Sequence, residues 1–211
     1  MMGFARLSLR KTSDIGFWKL CGSGTGEGFT PVPNLGVYAI LATWPDHKTA
    51  RDRISKAPIF QRYRNRASED WTVFLSPTSV KGEWAGVAPF SVSNTTEKGP
   101  LAALTRATVK PSIAAQFWRR VPDISKVIGR DENVAFKIGI GEVPLFHQIT
   151  FSIWPDAKRM SNFARTGHHA DAIRAVRDND WFREELYARF AVKSDYGTWN
   201  GASPLASLDI T

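Results

Sequence analysis

The chain has 211 residues, 43% of them apolar and 12% aromatic with eight Trp, enough for a sizeable and heavily aromatic core. Its net charge of +8 is spread over scattered arginines with no zinc-finger or RNP-type signature, so nucleic acid is not an expected partner and a basic face resting on acidic lipid headgroups is. One cysteine, Cys21, excludes an intramolecular disulfide framework, no run reaches the ~18 to 20 apolar residues of a membrane span, and Met1–Arg10 is too short and too charged for a signal peptide, so the expected location is the cytoplasm, peripheral to the inner membrane.

Met1–Thr12 reads as the tail of a short helix and Phe17–Cys21 as a strand. The glycines from Gly22 to Gly28 give no G-x-G-x-x-G register and lead to Pro31 and Pro33 instead of a helix, so they are a loop and not a dinucleotide site. Val37–Trp44 is an apolar strand ending at Trp44-Pro45-Asp46, and His47–Tyr63 is a helix interrupted near Pro58. Trp71–Leu75 is a strand, Gly82–Phe90 a connecting loop, and the polar run Ser93–Gly99 a boundary between halves. Leu101–Val109 is again a strand. Pro111–Ile128 is a helix that Pro122 kinks or splits, and Val134–Ile140 is a strand. From Gln148 the apolar residues Ile149, Phe151 and Ile153 alternate until Trp154-Pro155-Asp156. Met160, Phe163, Ile173, Val176 and Leu186 then follow helical spacing, which puts Glu184 and Glu185 on a solvated helix end.

The two halves repeat one another. The Trp-Pro-Asp corners lie 110 residues apart, and Trp84-Ala85-Gly86-Val87-Ala88-Pro89-Phe90 recurs 115 residues later as Trp199-Asn200-Gly201-Ala202-Ser203-Pro204-Leu205. The second half reads β-α-β-β-α-β, the split βαβ of a ferredoxin-like unit. The expected fold is therefore α+β, a duplicated ferredoxin-like repeat forming a dimeric-α/β-barrel type of architecture within one chain. Residues 1–95 are the first repeat, with its first strand missing, and residues 96–211 the second. Together they make one compact domain, with two sheets packed face to face around a ligand space.

The run from Phe17 to Pro31, both Trp-Pro-Asp corners, and His169 to Arg177 through Trp181 to Leu186 resemble the spheroidene monooxygenase family of carotenoid biosynthesis over nearly the whole chain. The resemblance implies a carotenoid 2-oxygenase: an enzyme using O2 and an external electron donor, such as a ferredoxin, to place a keto group on an acyclic carotenoid. It also implies haem iron as cofactor, and a homo-oligomer is compatible with it. A non-catalytic haem or apolar-ligand carrier and a cofactor-free monooxygenase on the same fold are the alternatives.

Haem needs an axial ligand, and the resemblance points to His169, which helical spacing places on a face with Ala172, Ile173 and Val176. His168 and His147 are alternative metal ligands, and Cys21 a thiolate candidate. Haem propionates call for cations, for which Arg165, Arg174, Arg177 and Lys19 are candidates, each also readable as a plain surface charge. His47, at a helix start, reads as an exposed cap.

Overall fold

Each Trp-Pro-Asp corner turns a strand into a helix through the same hydrogen bond. In a computed structural model, which describes residues 2–92, 99–119, 134–143, 145–165 and 181–208, Asp46 Oδ1 accepts the Thr49 amide at 2.8 Å and Asp156 Oδ1 accepts the Arg159 amide at 2.7 Å. The aspartate thus meets a first-turn N–H that has no partner within its helix. The elements are α1 (Met2–Arg10), β1 (Trp18–Gly24), β2 (Pro33–Ala42), α2 (His47–Lys56), α3 (Pro58–Arg64), β3 (Trp71–Gly82), β4 (Leu101–Val109), a 3-10 turn (Pro111–Ile113), β5 (Phe136–Gly141), β6 (His147–Trp154), α4 (Ala157–Arg165) and β7 (Phe182–Gly197). Residues 93–98 of the expected boundary and residues 120–128, the second half of the helix expected from Pro111, lie outside the described residues.

The seven strands among the described residues join one antiparallel sheet in the order β2-β1-β5-β6-β4-β7-β3. This corrects the expectation of two sheets. β1 pairs with β5 at Gly22↔Gly141 and Ser23↔Ile140, and β3 pairs with β7 from Trp71↔Gly197 to Gly82↔Leu186, so hydrogen bonds carry the sheet across both junctions between the halves. The sheet curls strongly. β3 and β5 lie four strand spacings apart, roughly 19 Å if flat, yet the rings of Trp71 on β3 and Phe136 on β5 have centroids 4.6 Å apart.

Alternation along the strands sorts the side chains into two layers. Cys21, Ala102, Leu104, Ile138, Ile149, Leu186 and Phe190 fill the concave interior. On the convex side Leu20 packs with Ala5 and Leu9 of α1 and with Ile59 and Phe60 of α3, while Leu101 and Trp154 pack with Met160 of α4. Residues 182–197 form a strand where a helix was expected as far as Leu186. Their charges suit a helix surface, but Leu186, Ala188 and Phe190 alternate into the core, and the ladders to β3 and β4 absorb their backbone. β3 also outruns its expected end, passing Pro77 as an edge strand can.

The turns after β3 and β7 match closely. Trp84 bridges Val87 and Trp199 bridges Ala202, with left-handed Ala85 and Gly86 in one turn and Asn200 and Gly201 in the other. Gly82 and Gly197 both have positive φ, and a Cβ on either would lie 2.1 Å from a backbone oxygen, of Glu185 and of Asp70 respectively. Only glycine fits both constraints.

Candidate functional site

The alternation that brings Ala102 and Leu104 into the concave core carries Arg106 there as well, and its residue is only 2% exposed. An arginine so enclosed needs counter-charges. Glu184, on β7, takes one amino nitrogen of the guanidinium in an ion pair and accepts the Ala85 and Gly86 amides at 2.7 and 3.3 Å. Glu142, just after β5, lies 3.9 Å from the other amino nitrogen. Its two oxygens also accept the Trp84 indole N–H at 2.7 Å and hold Lys19 Nζ at 2.9 Å. Lys19 lies over the rings of Phe17 and Trp84. His147, at the start of β6, completes the group with Nδ1 3.7 Å from Glu142 Oε2. Two cations and two carboxylates thus cancel on the concave side of the sheet.

Aromatic rings lead from this group through the interior. Trp84 meets Phe17 at 5.4 Å, Phe17 meets Phe90 at 6.5 Å, and Phe90 meets Phe190 at 5.1 Å. Phe136 gathers Trp71, Phe151 and Trp199 at 4.6, 6.3 and 5.5 Å. The interior therefore offers a ring-lined apolar wall beside one enclosed ionic cluster.

Burial, assisted by Glu142, pushes the Cys21 thiol up to about 12. With no metal bound, Cys21 is therefore a neutral buried side chain. Burial first, then the Arg106 charge, holds His147 below the usual histidine range, so its ring is neutral at pH 7.

Of the residues singled out from the sequence, Lys19 and His147 meet in this cluster. His169, His168, Arg174 and Arg177 lie outside the described residues, as does the side chain of Arg165, the last residue of α4. His47 is not the cap. Asp46 is, and His47 lies next to it with Nε2 3.1 Å from Ser194 Oγ and its ring against Phe74. Haem would ask for an accessible imidazole and free cations. Among the described residues, the His147 Nδ1 is enclosed beside Glu142, while Lys19 and Arg106 are already engaged by Glu142 and Glu184. The ionic cluster thus offers haem neither a free cation nor the His147 Nδ1, and His169, Arg174 and Arg177, the residues named for haem, lie outside the described residues.

Arg106, Glu142, Glu184 and Trp84 were not singled out as a site from sequence. Arg106 carried a usable signal, a charge at an inward position of the alternating run LAALTRATV. Glu184 was hidden by the helical assignment, and Glu142 and Trp84 lie in loops whose convergence only the tertiary fold supplies.

No family model matches the chain. Among curated proteins it is 54% identical over 192 residues to a spheroidene monooxygenase of Cereibacter sphaeroides, a match covering 90% of this chain and 59% of that protein. It is 50% identical over 210 residues to the spheroidene monooxygenase of Rhodobacter capsulatus, covering 98% and 87%, and 33% identical over 206 residues to that of Rubrivivax gelatinosus, covering 95% and 80%. The chain thus spans 59% of the length of the first of these relatives and most of the other two. Among solved structures, a candidate monooxygenase of Fusobacterium nucleatum subsp. nucleatum aligns at TM-score 0.45 and 10% identity over 93% of this chain and 88% of its own. A candidate antibiotic biosynthesis monooxygenase of Nitrosomonas europaea aligns at 0.37 and 15% over 51% and 99%. On the extent of identity to relatives it nearly spans, the chain belongs to the spheroidene monooxygenase family.

Proposed function

We propose that the protein is a monooxygenase that introduces a keto oxygen into an acyclic carotenoid of the spheroidene type. The observation that carries this reading is the 50% identity to the Rhodobacter capsulatus spheroidene monooxygenase across 98% of the chain. The ring-lined interior supports it, since a polyene chain needs apolar and aromatic surface along its length. In each oxygenation one O2, two electrons and two protons insert one oxygen atom into a C–H bond and release the other as water. Repeated at the same carbon, this gives a geminal diol that loses water to a ketone. The electrons come from an external donor of the ferredoxin kind.

In this reading the chain's own residues exclude water with Trp84, Phe90 and Phe190, align the polyene, and anchor its end at the ionic cluster. Haem held by His169 is part of the proposal on the strength of the family resemblance alone, and it would supply oxygen activation. We also propose that the chain holds two copies of one module. Lys19 of β1 pairs with Glu142 after β5, and Lys137 of β5 pairs reciprocally with Glu27 after β1. In the second copy β4 lies between β6 and β7. The equivalent place, between the sheet edges β2 and β3, is where a missing first strand would belong. Peripheral contact with the membrane that holds the substrate, and self-association, complete the proposal. No described helix is long and apolar enough to cross a membrane.

Purified protein given spheroidene, O2, ferredoxin, its reductase and a reductant should yield a product heavier by one oxygen and lighter by two hydrogens. A Soret band lost in His169→Ala separates the haem reading from a cofactor-free one. Spheroidene recovered unchanged, with a donor shown to be competent on another monooxygenase, would overturn the enzymatic reading and favour a carrier.

A further inference from the structure

Among the described residues, two polar atoms of the ionic cluster have no hydrogen-bond partner although both are enclosed. They are the Nε of Arg106, on a residue 98% buried, and the Nδ1 of His147. Folding rarely leaves such groups unmet, because a buried polar atom without a partner forfeits the hydrogen bond it had with water. The two belong to one place. His147 pairs across the ladder with Thr108, and Arg106 lies two residues from Thr108 on the same concave face, so the side chains are diagonal neighbours.

The surrounding charges decide what these atoms can receive. Arg106 and Lys19 are balanced by Glu184 and Glu142, and Glu142 lies 3.7 Å from His147 Nδ1 and 3.9 Å from an amino nitrogen of Arg106. A carboxylate or phosphate entering here would meet two fixed carboxylates and a neutral imidazole, with no uncompensated cation to offset its desolvation. An uncharged oxygen meets no such penalty. It accepts from the Arg106 Nε–H, and a hydroxyl also bonds to the imidazole nitrogen. Directly beside the station run the rings of Trp84 and Phe17, which suit the hydrocarbon to which such an oxygen is attached.

We propose that Arg106 Nε and His147 Nδ1 form a docking station for an uncharged hydroxyl, methoxy or keto oxygen at the end of an otherwise apolar ligand. The station fixes which end of the ligand lies deepest and so which carbon is presented for reaction. This inference rests on the carotenoid reading above and adds the element that distinguishes an oxygenated chain end from a plain hydrocarbon end.

The test compares two acyclic carotenoids of the same length, one with a terminal methoxy group and one a pure hydrocarbon. Binding is followed by quenching of tryptophan fluorescence, and turnover is measured in parallel. Wild type is expected to bind the methoxy compound about tenfold more tightly, the usual scale for one hydrogen bond from a charged donor. Arg106→Lys keeps the charge for Glu184 but has no Nε–H, and should bring the ratio close to one. If that variant does not fold, His147→Phe is read with a third carotenoid of the same length that carries a terminal hydroxyl, whose advantage over the hydrocarbon should shrink. A wild-type ratio near one would assign the two atoms to a bound water and overturn the proposal, and so would a preference that survives in Arg106→Lys. Equal turnover of both carotenoids sinks the station and leaves the enzyme reading standing. Failure to bind either one removes both.

Discussion

Replacing Arg106 by Met is the most direct test of how the ionic cluster is held together. The arginine is 2% exposed, with one amino nitrogen paired to Glu184 and the other 3.9 Å from Glu142. Its loss leaves two carboxylates, with side chains 27% and 13% exposed, facing one enclosed space with Lys19 as the remaining cation. Breaking a buried pair from one side costs about 3–5 kcal/mol. Glu184 keeps the amides of Ala85 and Gly86, which places the expected loss near the lower end, at about 3 kcal/mol. For a chain of this size that corresponds to a Tm lower by roughly 6–12 °C. The double variant Arg106→Met/Glu184→Gln removes the stranded charge and should return to within about 1 kcal/mol of wild type. Urea unfolding followed by tryptophan fluorescence measures both values. A single variant costing less than about 1 kcal/mol, or a double variant as unstable as the single, would refute the reasoning.

The glycines give a paired expectation. Gly86→Ala, at φ +72 with open space around its Cβ position, should cost about 1–2 kcal/mol for the left-handed backbone alone. Gly82→Ala adds a Cβ 2.1 Å from the Glu185 oxygen and should cost about 3 kcal/mol or more; equal losses in urea unfolding would contradict the packing described. His147 is held below its ordinary range, so an unfolded chain takes up a proton that the folded one refuses. Its contribution is present above about pH 6.5 and is lost as pH falls toward the folded value. His147→Gln should flatten stability against pH in that window, and an NMR titration placing this ring at or above the normal histidine value would remove the expectation. Cys21, pushed up to about 12 and 1% exposed, should resist iodoacetamide at pH 8 in the native protein and react fully in urea. Rapid native labelling would show the site to be open.

Most strands were legible because their apolar residues alternate and the Trp-Pro-Asp corners mark where period 2 gives way to period 3.6. The α+β class followed from that order. The single curled sheet did not, because nothing in one strand's sequence says that β1 will find β5. Residues 182–190 show how local and tertiary signals compete. Arg183, Glu184 and Glu185 favour a helix surface, while Leu186, Ala188 and Phe190 fit a strand only once β4 and β3 flank them. The site was half legible. Lys19 and His147 were named for a different role, and Arg106 stood in plain view on an inward face. Glu142 and Glu184 gain meaning only from being brought to that arginine by β5 and β7.

The two junctions of the curled sheet are unequal, and that inequality predicts where the sheet opens first. Along β3 and β7 the pairing runs from Trp71↔Gly197 to Gly82↔Leu186, whereas β1 and β5 meet through two residues each, flanked by the Lys19–Glu142 and Lys137–Glu27 pairs. Parting the short seam breaks few backbone bonds and exposes little apolar surface; parting the long one does the reverse. Amides at Ser23 and Ile140 should therefore exchange with solvent well before those of β7. Under the proposed function, a long rigid polyene would have its least costly way in at this short seam, where two lysine–carboxylate pairs supplement a short ladder.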